Sequence, residues 1–184
     1  MELYEKTLSS ELIFDGRVVH LYRDKVELPR GVTSEREYIK HVGAVCILPL
    51  TDDGQVVLER QYRYPFSDVL VEIPAGKLDH ANEDLREAAL RELREETGIV
   101  PRELIDIGEY YGSPAIVGER IRMYFARGLS FGERELDEDE FLEVFTMPLS
   151  QAVEEVVAGN IPDGKTQTAI LKVAHIIQKE GKHV

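Results

Sequence analysis

Basic residues are scarce. Lys and Arg number 22 against 35 Asp and Glu, a net charge of −13 at pH 7. Sequence-independent nucleic-acid binding rests on cations that neutralise phosphates, so this balance argues against it. Cysteine is rarer still. Cys46 is the only one, so no internal disulfide can form. It lies in the apolar run GAVCILPL and reads as a core residue, in keeping with a reducing cytoplasm. No stretch is long and apolar enough to span a membrane. The N-terminus, MELYEKTLSS, has no basic segment followed by an apolar run, so no secretory signal is expected there. The five histidines share no spacing and are expected to be structural or superficial. Repeats and low-complexity linkers are absent.

What remains is an acidic chain of 184 residues, 43% hydrophobic, which suits one domain with a small extension. ELIFDGRVVHLYRDKVELPRG holds two extended runs around a turn at Asp15-Gly16. The continuous apolar run from Val42 to Leu50 predicts a strand buried on both faces. QVVLERQYR, DVLVEIP, ELIDIGEYYG, ERIRMYFARG and FLEVFTMP predict further strands. Helices are expected after Asn82, ending at Gly98, then over SQAVEEVVAG and over DGKTQTAILKVAHIIQKEG. Many strands and three helices, mixed rather than alternating, predict an α/β or α+β domain with helices on both faces of a mixed sheet.

The helix after Asn82 carries an anomaly. At about 100° per residue, Glu96 falls about 40° from Glu92. Leu85, Ala88 and Ala89 lie within roughly 60° of Glu92, so two carboxylates share the stripe that should face the core. A glutamate-rich helix is ordinarily a solvated one, and Arg86, Glu87 and Arg94 fit that reading. Glu92 and Glu96 do not, because a buried carboxylate must be protonated, hydrogen-bonded or bound to a cation. With Glu95 about 60° to the other side, three carboxylates cover one sector. Such a sector suits a hard divalent cation such as Mg²⁺, which takes oxygen ligands and fills its shell with waters and phosphate oxygens. Arg91, one turn before Glu95, could hold that carboxylate in place.

The stretch from Gly76 to Ile99 resembles the Nudix box: a Gly, a Glu, Arg-Glu, an apolar residue, a pair of Glu, a Gly and an apolar residue. Here these are Gly76, Glu83, Arg91, Glu92, Leu93, Glu95, Glu96, Gly98 and Ile99. One extra residue stands between Gly76 and Glu83, in a loop where insertions are tolerated. The likeness runs from about Arg36 to the last helix. ERQYRYP followed by VEIPAGKLD resembles the ADP-ribose and nucleotide-sugar branch, which also places a Pro about fifteen residues past the box. Pro114 stands there in SPAIVGE, with Ala115 where that branch usually has Gly, and with Glu119 matching its Glu.

The resemblance implies a Nudix-type α/β/α sandwich at 41–184, with N-terminal antiparallel strands at 1–40 that help build a homodimer and its adenine pocket. It also implies Mg²⁺-dependent hydrolysis (Mn²⁺ being possible) of ADP-ribose to AMP and ribose 5-phosphate. The metal ligands would be the Ala75 carbonyl, Glu92, Glu95 and Glu96. Glu95 and Arg91 would also serve catalysis. Arg63 would grip substrate phosphate with its fork. Glu72, Arg36, Ser113, Pro114 and Glu119 would complete the substrate site. The acidic stretch GERELDEDEFLEVF lacks the mid-loop Gly of an EF-hand. By the same resemblance it holds the general base: Glu140 first, then Glu143, then Glu138. Two alternatives stand beside this reading. One is a pyrophosphatase for another nucleoside diphosphate sugar such as GDP-mannose. The other is a non-catalytic nucleotide sensor, for which the full set of Arg91, Glu92, Glu95 and Glu96 would be superfluous.

Overall fold

The structure is a computed structural model that describes residues 3–136 and 141–181. It divides into two units, Met1–Gly43 with Tyr111–Arg120, and Ala44–Tyr110 with Ile121–Val184.

In the first unit, β1 (Lys6–Asp15), β2 (His20–Glu27) and β3 (Thr33–Lys40) form an antiparallel sheet in the order β1-β2-β3. The turn expected at Asp15-Gly16 extends to His20 and is closed by the Gly16 amide donating to the Val19 carbonyl at 2.9 Å. Every residue of β1 is exposed, including Leu8, Leu12, Ile13 and Phe14. The segment after Tyr110 joins this unit through the end of β3. The Ile39 amide donates to the Ile116 carbonyl, and the Gly118 amide to the Ile39 carbonyl, both at 2.8 Å.

The second unit is built on β4 (Ala44–Leu50), whose seven residues are all buried, as its unbroken apolar run requires. β4 pairs in parallel with β9 (Ile121–Phe131), and β9 pairs antiparallel with β8 (Ile99–Tyr110). On its other edge β4 meets β5 (Gln55–Arg63) at Leu50↔Val56 and a short β7 (Ala75–Lys77) at Ala44, Val45 and Cys46. β5 pairs along one side with β10 (Leu142–Pro148), and its far end pairs with β6 (Asp68–Glu72). The sheet is therefore mixed, in the order β10-β5-β4-β9-β8 with β6 and β7 attached. The strand β7 was not foreseen, since three residues of Ala-Gly-Lys carry no periodic signal.

Because successive strand residues face opposite ways, β4 supplies two cores. Val45 and Ile47 pack with Ala88, Ala89 and Leu93 of α1 (Leu85–Thr97). Cys46 and Leu48 pack with Leu149, Ala152 and Val156 of α2 (Leu149–Ala158) and with Ala169, Ile170 and Val173 of α3 (Gly164–Lys179). Helices thus cover both faces, as expected. Burial pushes the Cys46 thiol up to about 12, so it is an inert core residue. Asp84 caps α1 by accepting from the amides of Arg86 and Glu87, and Gly98 ends it at φ 72°. Among the described residues no helix is long and apolar enough to cross a membrane.

Candidate active site

The stripe read from the sequence is where the structure puts it. Glu92 and Glu96 are buried among Ala88, Ala89 and Leu93, while Arg86, Glu87 and Arg94 are exposed. Two features explain how carboxylates sit there. The Glu96 Oε2 accepts from the Ala75 amide at 3.0 Å. Glu92 lies against Gly76 so closely that a Cβ there would stand 2.0 Å from its Cδ. Gly76 thus leaves a cradle that the Glu92 carboxyl fills.

Arg91 organises the rest. Its Nη1 donates to Glu92 Oε1 at 2.8 Å and to Glu95 Oε2 at 3.1 Å. Its Nε and Nη2 both reach Glu83 Oε1 at 3.2 Å, and Asp79 lies 3.6 Å away. Glu83 is fixed in turn by the Asp79 amide at 2.7 Å. The extra residue before Glu83 therefore leaves it in contact with Arg91. Burial alone would lower the Arg91 pKa, but the Glu92 charge and the surrounding hydrogen bonds outweigh it and raise it. Arg91 is a structural cation here, always charged, holding together carboxylates that would otherwise repel.

The donor set suits a hard divalent cation. Its atoms are carboxylate and carbonyl oxygens, and four carboxylates around one guanidinium leave a surplus of negative charge. Among the described residues no group of three or more acidic, histidine or cysteine side chains is arranged as it stands to hold a metal ion. Mg²⁺ usually takes one or two carboxylates and completes its shell with waters and substrate phosphates, so side chains alone need not enclose it.

Beyond α1 lies a second cluster. Arg63 donates to Glu72 through Nε at 2.6 Å and Nη2 at 2.9 Å, a two-pronged pair. Burial would raise the Glu72 pKa, but the bond from Arg63 and the charge of Lys165 outweigh it and hold the carboxyl below its usual range. Lys165 was missed. A lysine in the first turn of a helix opposes the helix dipole, and that misplacement was a signal available in the sequence.

The remaining predicted residues fall elsewhere. Arg36, Ser113, Pro114 and Glu119 belong to the first unit. There Arg36 pairs with Glu5 at 2.7 Å, the Ser113 carbonyl accepts from the Val117 amide at 2.9 Å, and Glu119 stands 3.6 Å from His41. Glu143 is exposed on β10 and pairs with Arg60 at 3.2 Å; Arg60 also lies 3.9 Å over the Phe145 ring. Glu138 and Glu140 lie outside the described residues.

A mixed-sheet α/β/α domain with an acidic helix, an organising arginine and a glycine cradle defines a class of hydrolase scaffold. The family model described as NUDIX domain matches residues 40–166, and the one described as nucleoside diphosphate sugar hydrolase N-terminal domain matches residues 5–39. The chain belongs to the Nudix family. It is 45% identical over 170 residues to the ADP-ribose pyrophosphatase of Bacillus subtilis (strain 168), covering 91% of each chain. It is 44% identical over 168 residues to the methanol dehydrogenase activator of Bacillus methanolicus, covering 90% of each. The crystal structure of an ADP compounds hydrolase superposes with a TM-score of 0.86 at 22% identity over the whole of both chains, a likeness of fold.

Proposed function

We propose that this chain is a Mg²⁺-dependent pyrophosphatase that cleaves ADP-ribose to AMP and ribose 5-phosphate, with Mn²⁺ able to replace Mg²⁺. The observation that carries the reading is the burial of Glu92 and Glu96 beside Ala75 and Gly76, with Arg91 bracing Glu92 and the Ala75 amide holding Glu96. Stability alone gives no reason to bury two glutamates on the apolar stripe of a helix. The 45% identity to a protein named as an ADP-ribose pyrophosphatase supports the choice of substrate.

Glu92, Glu95, Glu96 and the Ala75 carbonyl would hold the metal, which when bound would lower the pKa of a water and offset phosphate charge. Arg63 binds a phosphate oxygen. A water oxygen forms a bond to one phosphorus, the bond from phosphorus to the bridging oxygen breaks, and the water's proton passes to a carboxylate. We assign that base to Glu140, with Glu143 next. Arg36, Ser113, Pro114 and Glu119 are assigned to the substrate by family likeness.

The protein is further proposed to work in the cytoplasm as a homodimer. β1 is exposed along its whole length and carries Leu8, Leu12, Ile13 and Phe14. Such an edge calls for a cover. Light scattering at micromolar concentration should give about twice the 20.9 kDa chain mass, and deletion of residues 1–40 should give monomers or aggregates with weakened substrate binding. A monomeric, fully active protein refutes this part.

The test of the activity is incubation with Mg²⁺ and either ADP-ribose or GDP-mannose. Release of AMP from ADP-ribose at the higher kcat/KM supports the reading. Preference for GDP-mannose moves the substrate, and binding with no nucleoside monophosphate released makes the protein a sensor.

A further inference from the structure

The first turn of α3 meets the end of β6 in a buried cluster of charges. Glu72 is 3% exposed and Lys165 9%. The Lys165 ammonium bonds Glu72 Oε2, the oxygen that also accepts from Arg63 Nη2. It stands 3.1 Å from Asp163 Oδ2. That same oxygen caps α3 by accepting from the Thr166 amide at 2.9 Å, and Thr166 Oγ1 accepts from the Ile73 amide at 3.0 Å. Burial alone would lower the Lys165 pKa, but the charges of Asp163 and Glu72 outweigh it and raise it.

The raised pKa shows that the fold favours the charged lysine, but stability alone does not call for a cation at this place. The N-terminal end of a helix disfavours cations. A buried ion pair is often no better than an apolar pair of the same size. The geometry gives it another use. Two of the three nitrogens of Arg63 are committed to Glu72, so the guanidinium is held in one plane. The third, Nη1, makes no hydrogen bond among the described residues, on a side chain 38% exposed. Held from behind, Arg63 offers one edge outward. Glu72 alone would neutralise that edge as well as aim it. A second cation on Glu72 Oε2 offsets this and fixes the carboxyl from its other side.

We propose that Lys165 is a positioning residue for substrate phosphate: by locking Glu72 it aims the Nη1 edge of Arg63 at a phosphate oxygen of a nucleoside diphosphate. This rests on the substrate class proposed above. A site of this kind pre-organises the anion contact before the ligand arrives, so its loss is read in binding more than in turnover.

The experiment compares wild type, Lys165→Met, Arg63→Ala, Arg63→Ala with Lys165→Met, and Glu72→Gln with Lys165→Met. KM and kcat are measured with ADP-ribose and Mg²⁺. Kd is measured by calorimetry with the uncleavable α,β-methylene analogue of ADP-ribose. Lys165→Met should raise KM and Kd about tenfold and leave kcat within about twofold. In the Arg63→Ala background it should add nothing, because Lys165 acts through Arg63. Glu72→Gln with Lys165→Met should melt higher than Lys165→Met, since no buried carboxylate is left half-paired, yet keep the raised Kd because nothing aims Arg63. A folded Lys165→Met with wild-type KM and Kd, or additive losses with Arg63→Ala, overturns the proposal. If Lys165→Met does not fold, a wild-type Kd in the Glu72→Gln pair overturns it instead. A wild-type protein that binds the analogue but releases no AMP refutes the hydrolytic reading, and the Kd series still decides the role of Lys165.

Discussion

Gly76→Ala tests whether the cradle beneath Glu92 exists to place a metal ligand. The added Cβ would lie 2.0 Å from Glu92 Cδ and 2.2 Å from each carboxyl oxygen. Carbon atoms in contact rest at about 3.5–4.0 Å, so the two groups must part by roughly 1.5 Å or more. The obstacle is the end of a side chain rather than backbone, so Glu92 swings aside and β7 keeps its pairing with β4. A carboxyl forced off its rotamer costs about 0.5–1.5 kcal/mol. Alanine in place of a strand glycine returns about 0.5–1 kcal/mol. The two nearly cancel as long as the displaced carboxyl keeps its bond from Arg91 Nη1, and the melting temperature should then stay within about 4 °C of wild type.

Ligation does not cancel in this way. Metal–oxygen distances tolerate about 0.2 Å, several times less than the shift. Electron paramagnetic resonance titration should show weaker Mn²⁺ binding, and AMP release from ADP-ribose should fall about 10²-fold in kcat/KM, the penalty typical of an ångström-scale misplacement. A stably folded Gly76→Ala with wild-type Mn²⁺ affinity and rate would remove Glu92 from the metal site. A large drop in melting temperature would show that the backbone yields or that the Arg91 bond to Glu92 is lost.

Glu96→Gln should keep its bond from the Ala75 amide, almost abolish turnover at saturating Mg²⁺, and melt higher than wild type in chelator, because one buried negative charge is gone; near wild-type turnover would refute it. Glu140→Gln should lower kcat by about 10² to 10⁴ with little change in Mn²⁺ or substrate affinity; the same loss from Glu143→Gln, with Glu140→Gln active, would transfer the role. The Glu72 carboxyl is held below its usual range by Arg63 and Lys165 despite its burial. A depressed carboxyl stabilises the fold above its unfolded pKa of about 4.3 and loses that contribution as pH falls through the folded value. Stability measured by denaturant should therefore decline below about pH 4.3, and Glu72→Gln should flatten that decline; an unchanged acid limb would show that other carboxyls carry it.

The fold was legible where one pattern dominated. The run GAVCILPL, short and unbroken, predicts a strand buried on both faces, and β4 is that strand. The carboxylate stripe was legible because helical periodicity is rigid: once Ala88 and Leu93 face the core, Glu92 and Glu96 must as well. Contacts made across the sheet were less legible. β7 is three residues long and exists because β4 and α1 hold it on either side. Lys165 lies 93 residues from Glu72 in sequence; its place in the first turn of α3 marks it as unusual, but nothing local names Glu72 as its partner. The helix of DGKTQTAILK could be read from its periodicity, but not which of its polar residues is buried at the other end of a salt bridge.

Those two illegible contacts share one stretch of chain, and that stretch ties the chemistry to the scaffold. Glu72 and the Ile73 amide are bound from one side by Lys165 and Thr166 of α3. The Pro74 carbonyl accepts from the Ile47 amide of β4 at 2.9 Å. The Ala75 amide and the bare Cα of Gly76 receive Glu96 and Glu92 of α1 from the other side. Residues 72–76 thus hand their attachments over from one helix to the other, 72 and 73 to α3 and 75 and 76 to α1. A slip of β6 by one residue would turn Glu72 away from Lys165 and toward the face of α1, already crowded with carboxylates. Register is therefore the variable that sets the distance between the arginine proposed to bind phosphate and the glutamates proposed to bind metal. Fixing it from both faces of the sheet gives a more rigid spacing than either helix could impose alone.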